Sequence, residues 1–270
     1  MRGASVVLGL ILLAGCRTSE LTPAARAALH QALFDEIQPV KLSNCEFERL
    51  GDAHDGGYLA CKNLVPHSQA AYSYGIAGTD EWGCAVSGRL GVPVHQYDCF
   101  NPSRPNCPAG AVPLFHDECV GPKRVTEQGR LFDTVESHIA RNGDAGKPLI
   151  MKMDVEGAEW LSFLEMPDSV LSQIDQLSVE FHEVSTPVFL DVIRKLKRTF
   201  HVANLHYNNW ECRTDVAPLP ARVFELLLVN KRLGIADPES RPVYPNPLDA
   251  PNNRVMPDCQ GAAIESKSPR

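Results

Sequence analysis

The sequence lacks the features that mark several common classes of protein. It has no run of basic residues and a formal net charge of -7, so neither nucleic acid nor an anionic membrane surface is an expected partner. It has no GxSxG turn, which disfavours a hydrolase. Its apolar stretch at 4–15 is too short to span a bilayer, and no internal repeat divides the chain. The part of the chain that follows this apolar stretch is long enough for one domain with a sizeable core.

Cysteine, in contrast, is abundant, with nine residues in a chain of 270. No CxxC pair occurs and the gaps are irregular, which disfavours a zinc site and leads us to expect no metal ligands. Eight cysteines remain when Cys16 is set aside, and an even number in an exported chain predicts up to four disulfides. The spacing leaves the connectivity open. The trial pairs are Cys45–Cys61, Cys107–Cys119 and Cys212–Cys259.

The first sixteen residues have the pattern of an export signal. The apolar stretch ends in LILLAGC (10–16), which resembles the lipobox of bacterial lipoproteins. That resemblance implies a signal peptide over 1–16, lipidation of Cys16 and membrane anchoring through the lipid. The predicted location is therefore the periplasm or the outer membrane of a Gram-negative cell. Arg17, which follows the cysteine, favours the outer membrane. The alternative is an ordinary signal peptide and a secreted protein.

Three further segments follow from composition and periodicity. Residues 17–42 form a tether and a helix, with Thr22 as its cap and Pro23 in its first turn. The main domain occupies 43–234 and begins with a hairpin or loop element at 45–61. The tail at 235–270 carries seven prolines without apolar periodicity, so we expect it to be extended and irregular, with Cys259 pinning part of it.

Within the domain, apolar runs of strand length alternate with helical segments. The predicted strands are 71–76, 93–99, 112–119, 148–155, 174–182, 200–207 and 223–230, and the predicted helices are 79–90, 130–142, 158–166 and 186–200. Such alternation implies right-handed crossovers and a sheet covered on both faces. The sequence therefore predicts a doubly wound α/β fold.

The first turn of this sheet, YGIAGTDEWG (74–83), favours a cofactor without phosphate. Gly75 and Gly78 would allow the backbone to approach a ligand, and Asp98 could accept hydrogen bonds from ribose hydroxyls. The glycine spacing is not GxGxxG, and Asp80 with Glu81 would repel a pyrophosphate at the next helix. S-adenosylmethionine, which carries a sulfonium and an amine, matches better. The alternative is that these carboxylates only cap the helix.

The second turn, MKMDVEGAEW (151–160), places Asp154 and Glu156 at the end of an apolar strand. Paired carboxylates there could orient a substrate hydroxyl, take its proton or hold the cationic end of a cofactor. Capping of the next helix and pairing with a basic side chain is the alternative.

These motifs resemble those of a known enzyme family. The run KMDVEGAE (152–159) followed by LSVEFH (177–182) resembles the signature of FkbM-type methyltransferases. RLG (49–51), DGGY (55–58), YGI (74–76), YD (97–98), HYNN (206–209) and FEL (224–226) resemble the related family that includes methyltransferase-like protein 24. The resemblance covers about 43–232. It implies a Rossmann-like class I methyltransferase fold with a seven-stranded, mostly parallel sheet.

The resemblance also implies roles for individual residues. Asp154, Glu156 and His182 are the catalytic candidates, with His182 as the first choice of general base, and His206 and Asn208 are candidates for acceptor contacts. S-adenosylmethionine would be held by Tyr74, Gly75, Gly78, Asp98, Asp117 and Asp154, with Glu118 as an alternative to Asp117 beside the adenine. Asp55 and Tyr58 would close over it. Ala77 departs from the family, which commonly has glycine there.

Two functions remain in competition at this stage. The first is an O-methyltransferase that acts on a sugar or another small-molecule hydroxyl. The second is an exported, inactive protein of the same fold that binds a glycan or a cell-envelope ligand. Export favours the binding protein, because S-adenosylmethionine is a cytosolic metabolite. The polar residues at the ends of the predicted strands, such as Asp98, Asp154 and His182, favour the enzyme.

Overall fold

The computed structural model describes residues 21–259 of the chain. Cys16 and the predicted signal peptide lie outside these residues. The helices are α1 (Pro23–Glu36), α2 (Glu81–Leu90), α3 (Val135–Arg141), α4 (Glu159–Glu165), α5 (Asp168–Gln173) and α6 (Val188–Thr199). Thr22 caps α1 as predicted, since its hydroxyl accepts a hydrogen bond from the Ala25 amide at 3.2 Å. In the described part of the chain, no helix is both long enough and apolar enough to cross a membrane.

Within residues 21–259, twelve strands form three sheets. They are β1 (Phe47–Gly51), β2 (Gly57–Cys61), β3 (Ala70–Tyr74), β4 (Pro93–Tyr97), β5 (Val112–His116), β6 (Cys119–Val120), β7 (Val125–Glu127), β8 (Arg130–Asp133), β9 (Leu149–Met153), β10 (Ile174–His182), β11 (Phe200–Tyr207) and β12 (Val223–Asn230). The seven predicted strands are all present and form one mostly parallel sheet in the order β11-β12-β10-β9-β3-β4-β5. β12 runs antiparallel to both of its neighbours.

Helices and a hairpin bury the two faces of this sheet, as continuous apolar strands require. Every residue of β3 and of β9 is buried. On one face, α1, α3, α4, α5 and α6 contribute to a large core with residues such as Leu33, Trp160 and Leu196. On the other face, Trp82 of α2 packs with Tyr58 of β2. The fold is therefore of the α/β class, with a mostly parallel sheet covered on both faces, as the alternation predicted.

Two local predictions need correction. Residues 130–133 form β8 of a small sheet in the order β6-β8-β7, so the predicted helix at 130–142 begins only at Val135. The short helix α5 between α4 and β10 was not predicted. Both segments are too short for apolar periodicity to distinguish a helix from a strand, which is the signal that identified the longer elements.

Four disulfides connect the eight described cysteines: Cys45–Cys61, Cys84–Cys107, Cys99–Cys119 and Cys212–Cys259. The trial pair Cys107–Cys119 is wrong. Cys99 follows β4 and Cys119 follows β5. These two strands are adjacent and parallel, so their carboxyl ends lie side by side. Four disulfides indicate an extracellular or periplasmic protein.

Residues 231–259 contain no helix or strand, apart from an isolated bridge between Ala236 and Leu42. The segment 246–259, here called the C-terminal strap, packs against the main domain and ends in the Cys212–Cys259 disulfide. The side chain of Asn209 donates to carbonyl oxygens of the strap at Asn253, Met256 and Pro257, at 3.0 to 3.3 Å. The strap is thus fixed near the ends of β11 and β12.

Candidate functional site

The strand order of the large sheet reverses between β3 and β9, and this reversal positions the candidate site. Ligands of open α/β sheets bind beyond the carboxyl ends of the strands at such a point. Here the two strand ends touch, because the Asp154 amide donates to the Tyr74 carbonyl at 3.1 Å. A Cβ on Gly75 would lie 1.6 Å from the Asp154 carbonyl oxygen. Glycine at this position is therefore required by packing within the chain.

Asp98 organises the first turn through backbone amides. One carboxylate oxygen accepts from Ile76 and Ala77 at 3.1 and 2.7 Å. The other accepts from Phe100 and Asn101 at 2.8 and 2.9 Å. These contacts use all four acceptor positions of the carboxylate. They also fill the anion-binding nest of the turn, so neither a phosphate nor a ribose hydroxyl can bind there without displacing them.

Asp80 is explained by helix capping, the alternative that the sequence left open. Its side chain is buried and accepts hydrogen bonds from the Gly83 amide at 2.9 Å, Ser73 at 3.0 Å and Gln96 at 2.8 Å. Burial raises the pKa of this carboxyl above its ordinary value. The amino-terminal end of α2 is thus occupied by the chain itself. Gly78 likewise faces the side chain of Asn101, which a Cβ would meet at 2.6 Å.

Asp154 is held in place through one of its two carboxylate oxygens. Its Oδ2 accepts from the Tyr58 hydroxyl at 3.0 Å and lies 3.5 Å from the Lys152 ammonium. Lys152 is buried and also donates to the Gly75 carbonyl at 2.6 Å, which links the two strand ends. Asp154 Oδ1 is directed toward His182, with 4.0 Å between this oxygen and Nε2.

His182 brings the three predicted catalytic residues together. Its Nε2 lies 3.4 Å from Glu156 Oε2 and 3.2 Å from Glu180 Oε1, while its Nδ1 lies 2.5 Å from Glu159 Oε1. Burial lowers the pKa of His182, but the hydrogen bonds and charges of Glu159 and Glu180 outweigh it and raise this pKa well above its ordinary value. With both ring nitrogens on carboxylates, His182 is poorly suited to act as a general base.

Glu180 extends the cluster toward β11. Burial and the charge of Asp154 raise the pKa of Glu180 to about 8. Asn208 donates to its two oxygens at 3.2 and 3.3 Å, so this predicted acceptor residue does lie beside the catalytic candidates. Asp154, Glu156 and His182 offer three potential ligand atoms within 4.8 Å of one another. A metal ion could therefore be held here, although the sequence led us to expect no metal ligands.

His206, the other predicted acceptor residue, belongs to a neighbouring cluster beneath the C-terminal strap. Its Nδ1 lies 3.2 Å from Glu225 Oε2, and Asn252 of the strap donates to Glu225 Oε1 at 2.7 Å. Burial lowers the pKa of His206, but Glu225 raises it to a net value of about 9. A polar cavity of about 10 Å³, enough for one water, lies between Tyr58, Glu225 and Asp249.

The predicted adenine contacts lie apart from this arrangement. Asp117 is exposed after the edge strand β5, and Glu118 pairs with Arg141. Glu118, Asp133 and His138 form a second group with the spacing of metal ligands. Arg141 contacts both of its carboxylates, so their negative charge is already compensated.

Several residues of the site were not assigned by sequence reasoning. Lys152 and Glu159 stand inside the motif that identified Asp154, but a lysine in a strand and a glutamate in a first helical turn give no distinct signal. Glu225 and Asn252 come from β12 and from the strap. Only the folded arrangement brings these two residues together.

Comparison of the chain with protein-family models, with curated proteins and with solved structures gives no match. The resemblance to FkbM-type methyltransferases consequently rests on the short motifs alone. The cluster around Asp154 and His182 is the feature of the structure from which a function can be inferred.

Proposed function

We propose that this chain is an S-adenosylmethionine-dependent O-methyltransferase of FkbM type with a Rossmann-like class I methyltransferase fold. The observation that carries the proposal is the direct contact between the Gly75 turn and Asp154 at the reversal of strand order. The seven-stranded sheet, parallel except at β12, supports the fold assignment because the resemblance implies a mostly parallel sheet of seven strands.

The charges of the site support a cationic, phosphate-free cofactor. The nest in the first turn already holds the Asp98 carboxylate, which disfavours a dinucleotide. Asp154 and Glu156 provide negative charge beside this turn, and they suit a sulfonium and an ammonium group. When bound, S-adenosylmethionine would supply a methyl group on a positively charged sulfur.

The same cluster suits an acceptor hydroxyl. The acceptor oxygen would form a bond to the methyl carbon while the carbon–sulfur bond breaks, with its electron pair returning to sulfur. The hydroxyl proton would pass to the carboxylate of Asp154 or Glu156, because His182 has both ring nitrogens engaged. Asn208 and Glu180 would orient the acceptor, so that the rate gain comes mainly from positioning.

Calorimetric titration of the oxidised chain with S-adenosylmethionine and with its demethylated product tests this proposal. We expect saturable binding of both in the presence of chelator. Asp154→Asn should reduce the preference for the cationic cofactor over the neutral product about tenfold, or about 1.4 kcal/mol, because one attraction to the sulfonium is lost. Glu136→Gln on α3, an exposed control, should leave the preference unchanged. Absence of binding at millimolar ligand would overturn the proposal.

A second candidate function is an inactive binding protein of the same fold that recognises a glycan or cell-envelope ligand. Two observations favour it. The four acceptor positions of Asp98 are used by the chain, and the disulfides indicate a compartment away from the cytosolic cofactor. Binding of cell-envelope glycans without binding of S-adenosylmethionine in the same titration would support this candidate over the enzyme.

The location that we propose is a lipid-anchored one, with Cys16 as the acylated residue. The LILLAGC motif and the requirement of the disulfides for an oxidising compartment support it together. Mass spectrometry of the purified chain should detect an amino-terminal peptide that begins at an acylated Cys16. An unmodified, secreted chain would contradict lipid anchoring.

A further inference from the structure

The cluster around His182 has the donor atoms and the support that a bound metal ion requires. We propose that Asp154 Oδ1, Glu156 Oε2 and His182 Nε2 bind one divalent transition-metal cation, with Glu180 Oε1 as a fourth donor. The first three atoms lie within 4.8 Å of one another, and Glu180 Oε1 is 3.2 Å from His182 Nε2. They converge from the ends of β9 and β10 at the reversal of strand order.

The surrounding residues orient these donors in the way that metal sites use. Glu159 engages Nδ1 of His182 at 2.5 Å, which directs Nε2 toward the carboxylates. Tyr58 occupies Oδ2 of Asp154 and leaves Oδ1 facing the imidazole. Such outer contacts to a ligating histidine and a ligating carboxylate are typical of metal centres. They are independent of the contacts among the proposed ligands themselves.

The charge balance of the cluster also favours a cation. Four carboxylates, those of Asp154, Glu156, Glu159 and Glu180, lie around His182. They outnumber the two cationic groups that face them, Lys152 and the protonated His182 ring, and a metal ion would replace the ring proton on Nε2. The other group with metal-ligand spacing differs in this respect. There, Arg124 and Arg141 both pair with Asp133, and Arg141 also pairs with Glu118. A cation at the Glu118, Asp133 and His138 group would compete with two guanidinium groups. At the cluster around His182, none of the described arginines contacts the proposed ligands.

The donor set indicates which cations fit. One imidazole nitrogen with two or three carboxylate oxygens suits Mn²⁺, Fe²⁺ or Zn²⁺ better than a soft ion, and all eight described cysteines are in disulfides. Glu156 is 81% exposed, so the outer side of the site is open to a further ligand. A role for the cation in catalysis rests on the proposed methyl transfer. In that reaction the cation would bind the acceptor hydroxyl and favour its deprotonation.

Titration with Mn²⁺, followed by electron paramagnetic resonance of the free ion, tests the inference. The full oxidised chain is stripped with chelator, which is then removed, and is titrated without S-adenosylmethionine. We expect one Mn²⁺ per chain, displaced by Zn²⁺. Glu156→Gln should weaken binding about tenfold or more, and Glu159→Gln about 10- to 100-fold through the orientation of His182. Glu118→Gln, in the other group, should leave the affinity within about twofold of the wild type if the first site binds the ion.

The variant Glu156→Gln changes an exposed side chain, so loss of the fold does not complicate its result. As a second readout, bound Zn²⁺, which is diamagnetic, should shift the ring signals of His182 more than those of His138. Absence of saturable binding, or equal binding by wild type and Glu156→Gln, would overturn the inference. Metal binding without cofactor binding would overturn only the proposed methyl transfer, and cofactor binding in chelator without metal binding would overturn only the metal site.

Discussion

Glu159 holds His182 at two points: its Oε1 accepts a hydrogen bond from the His182 backbone amide at 3.0 Å and lies 2.5 Å from ring Nδ1. Its other oxygen accepts from the Gly157 amide at 2.7 Å. Glu159 is fully buried at the start of α4, and His182 ends β10. One side chain thus joins the turn after β9 to the end of β10 and sets the direction of the imidazole.

Glu159→Gln should therefore destabilise the domain. The exchange keeps the shape of the side chain but turns charge-assisted hydrogen bonds into neutral ones beside a cationic ring, so we expect a loss of about 2 kcal/mol in the free energy of unfolding. Urea unfolding at pH 7 measures it. Glu165→Gln, on an exposed position of the same helix, is the control, and equal effects of the two exchanges would refute the role of Glu159.

The first turn allows two opposite predictions at neighbouring positions. Gly75→Ala puts a methyl group 1.6 Å from the Asp154 carbonyl oxygen and should cost at least about 3 kcal/mol of stability. Ala77 is exposed with a φ of 49°, so Ala77→Gly should relieve strain and gain about 0.5–1 kcal/mol. Thermal unfolding of both variants checks them. A stabilised Gly75→Ala or a strongly destabilised Ala77→Gly would contradict the geometry of this turn.

The disulfide pattern can be read directly by peptide mapping without reduction. Chymotryptic cleavage after Phe100, combined with cleavage before Asp117, separates Cys99, Cys107 and Cys119 into different peptides. We expect cross-linked peptides that contain Cys84 with Cys107 and Cys99 with Cys119. A peptide that joins Cys107 to Cys119 would show that the loop after β4 follows another path.

Two buried histidines predict how stability depends on pH. Burial lowers the pKa of His95 to about 4 and that of His138 to about 3, whereas each titrates near 6.5 when unfolded. The unfolded chain therefore binds more protons below pH 6.5. The contribution of these two histidines to stability should be fully present above pH 6.5 and should fall as the pH drops toward 4, by about 1.4 kcal/mol per pH unit for each histidine.

Comparison with His138→Phe isolates one of these contributions. Phenylalanine keeps the stacking on Tyr97, where the ring centroids are 4.2 Å apart, but cannot take up a proton. The slope of unfolding free energy against pH between 6 and 4 should therefore decrease by about 1.4 kcal/mol per pH unit. An unchanged slope would mean that His138 titrates alike in the folded and unfolded chain.

Long elements with a clear apolar pattern could be predicted from the sequence. Residues 174–182, 200–207 and 223–230 form strands with the expected bounds, because apolar residues recur along each of them and the sheet buries nearly every position. Asp154, Glu156 and His182, which the family resemblance grouped, lie together because they follow or end the adjacent strands β9 and β10. Strand-end arguments work because the sheet fixes which ends are adjacent.

Features that depend on side-chain contacts across distant segments could not be predicted. Asp98 was assigned to a ribose by its spacing from Gly75, but spacing does not reveal that four backbone amides occupy it. The contact of Asn252 with Glu225 joins residues that are 27 positions apart and belongs to a tail without periodicity. Glu159 was not assigned a role, because burial of a glutamate has no signature in sequence.

The central claim is that S-adenosylmethionine binds at the turn between Gly75 and Asp154. Nuclear magnetic resonance of the ¹⁵N-labelled, oxidised chain during titration with S-adenosylhomocysteine tests it most directly. The account predicts that the largest amide shifts occur at Ile76, Ala77 and Asp154, since these amides surround the proposed site. Amide shifts confined to residues around His138, or no shifts at millimolar ligand, would contradict it.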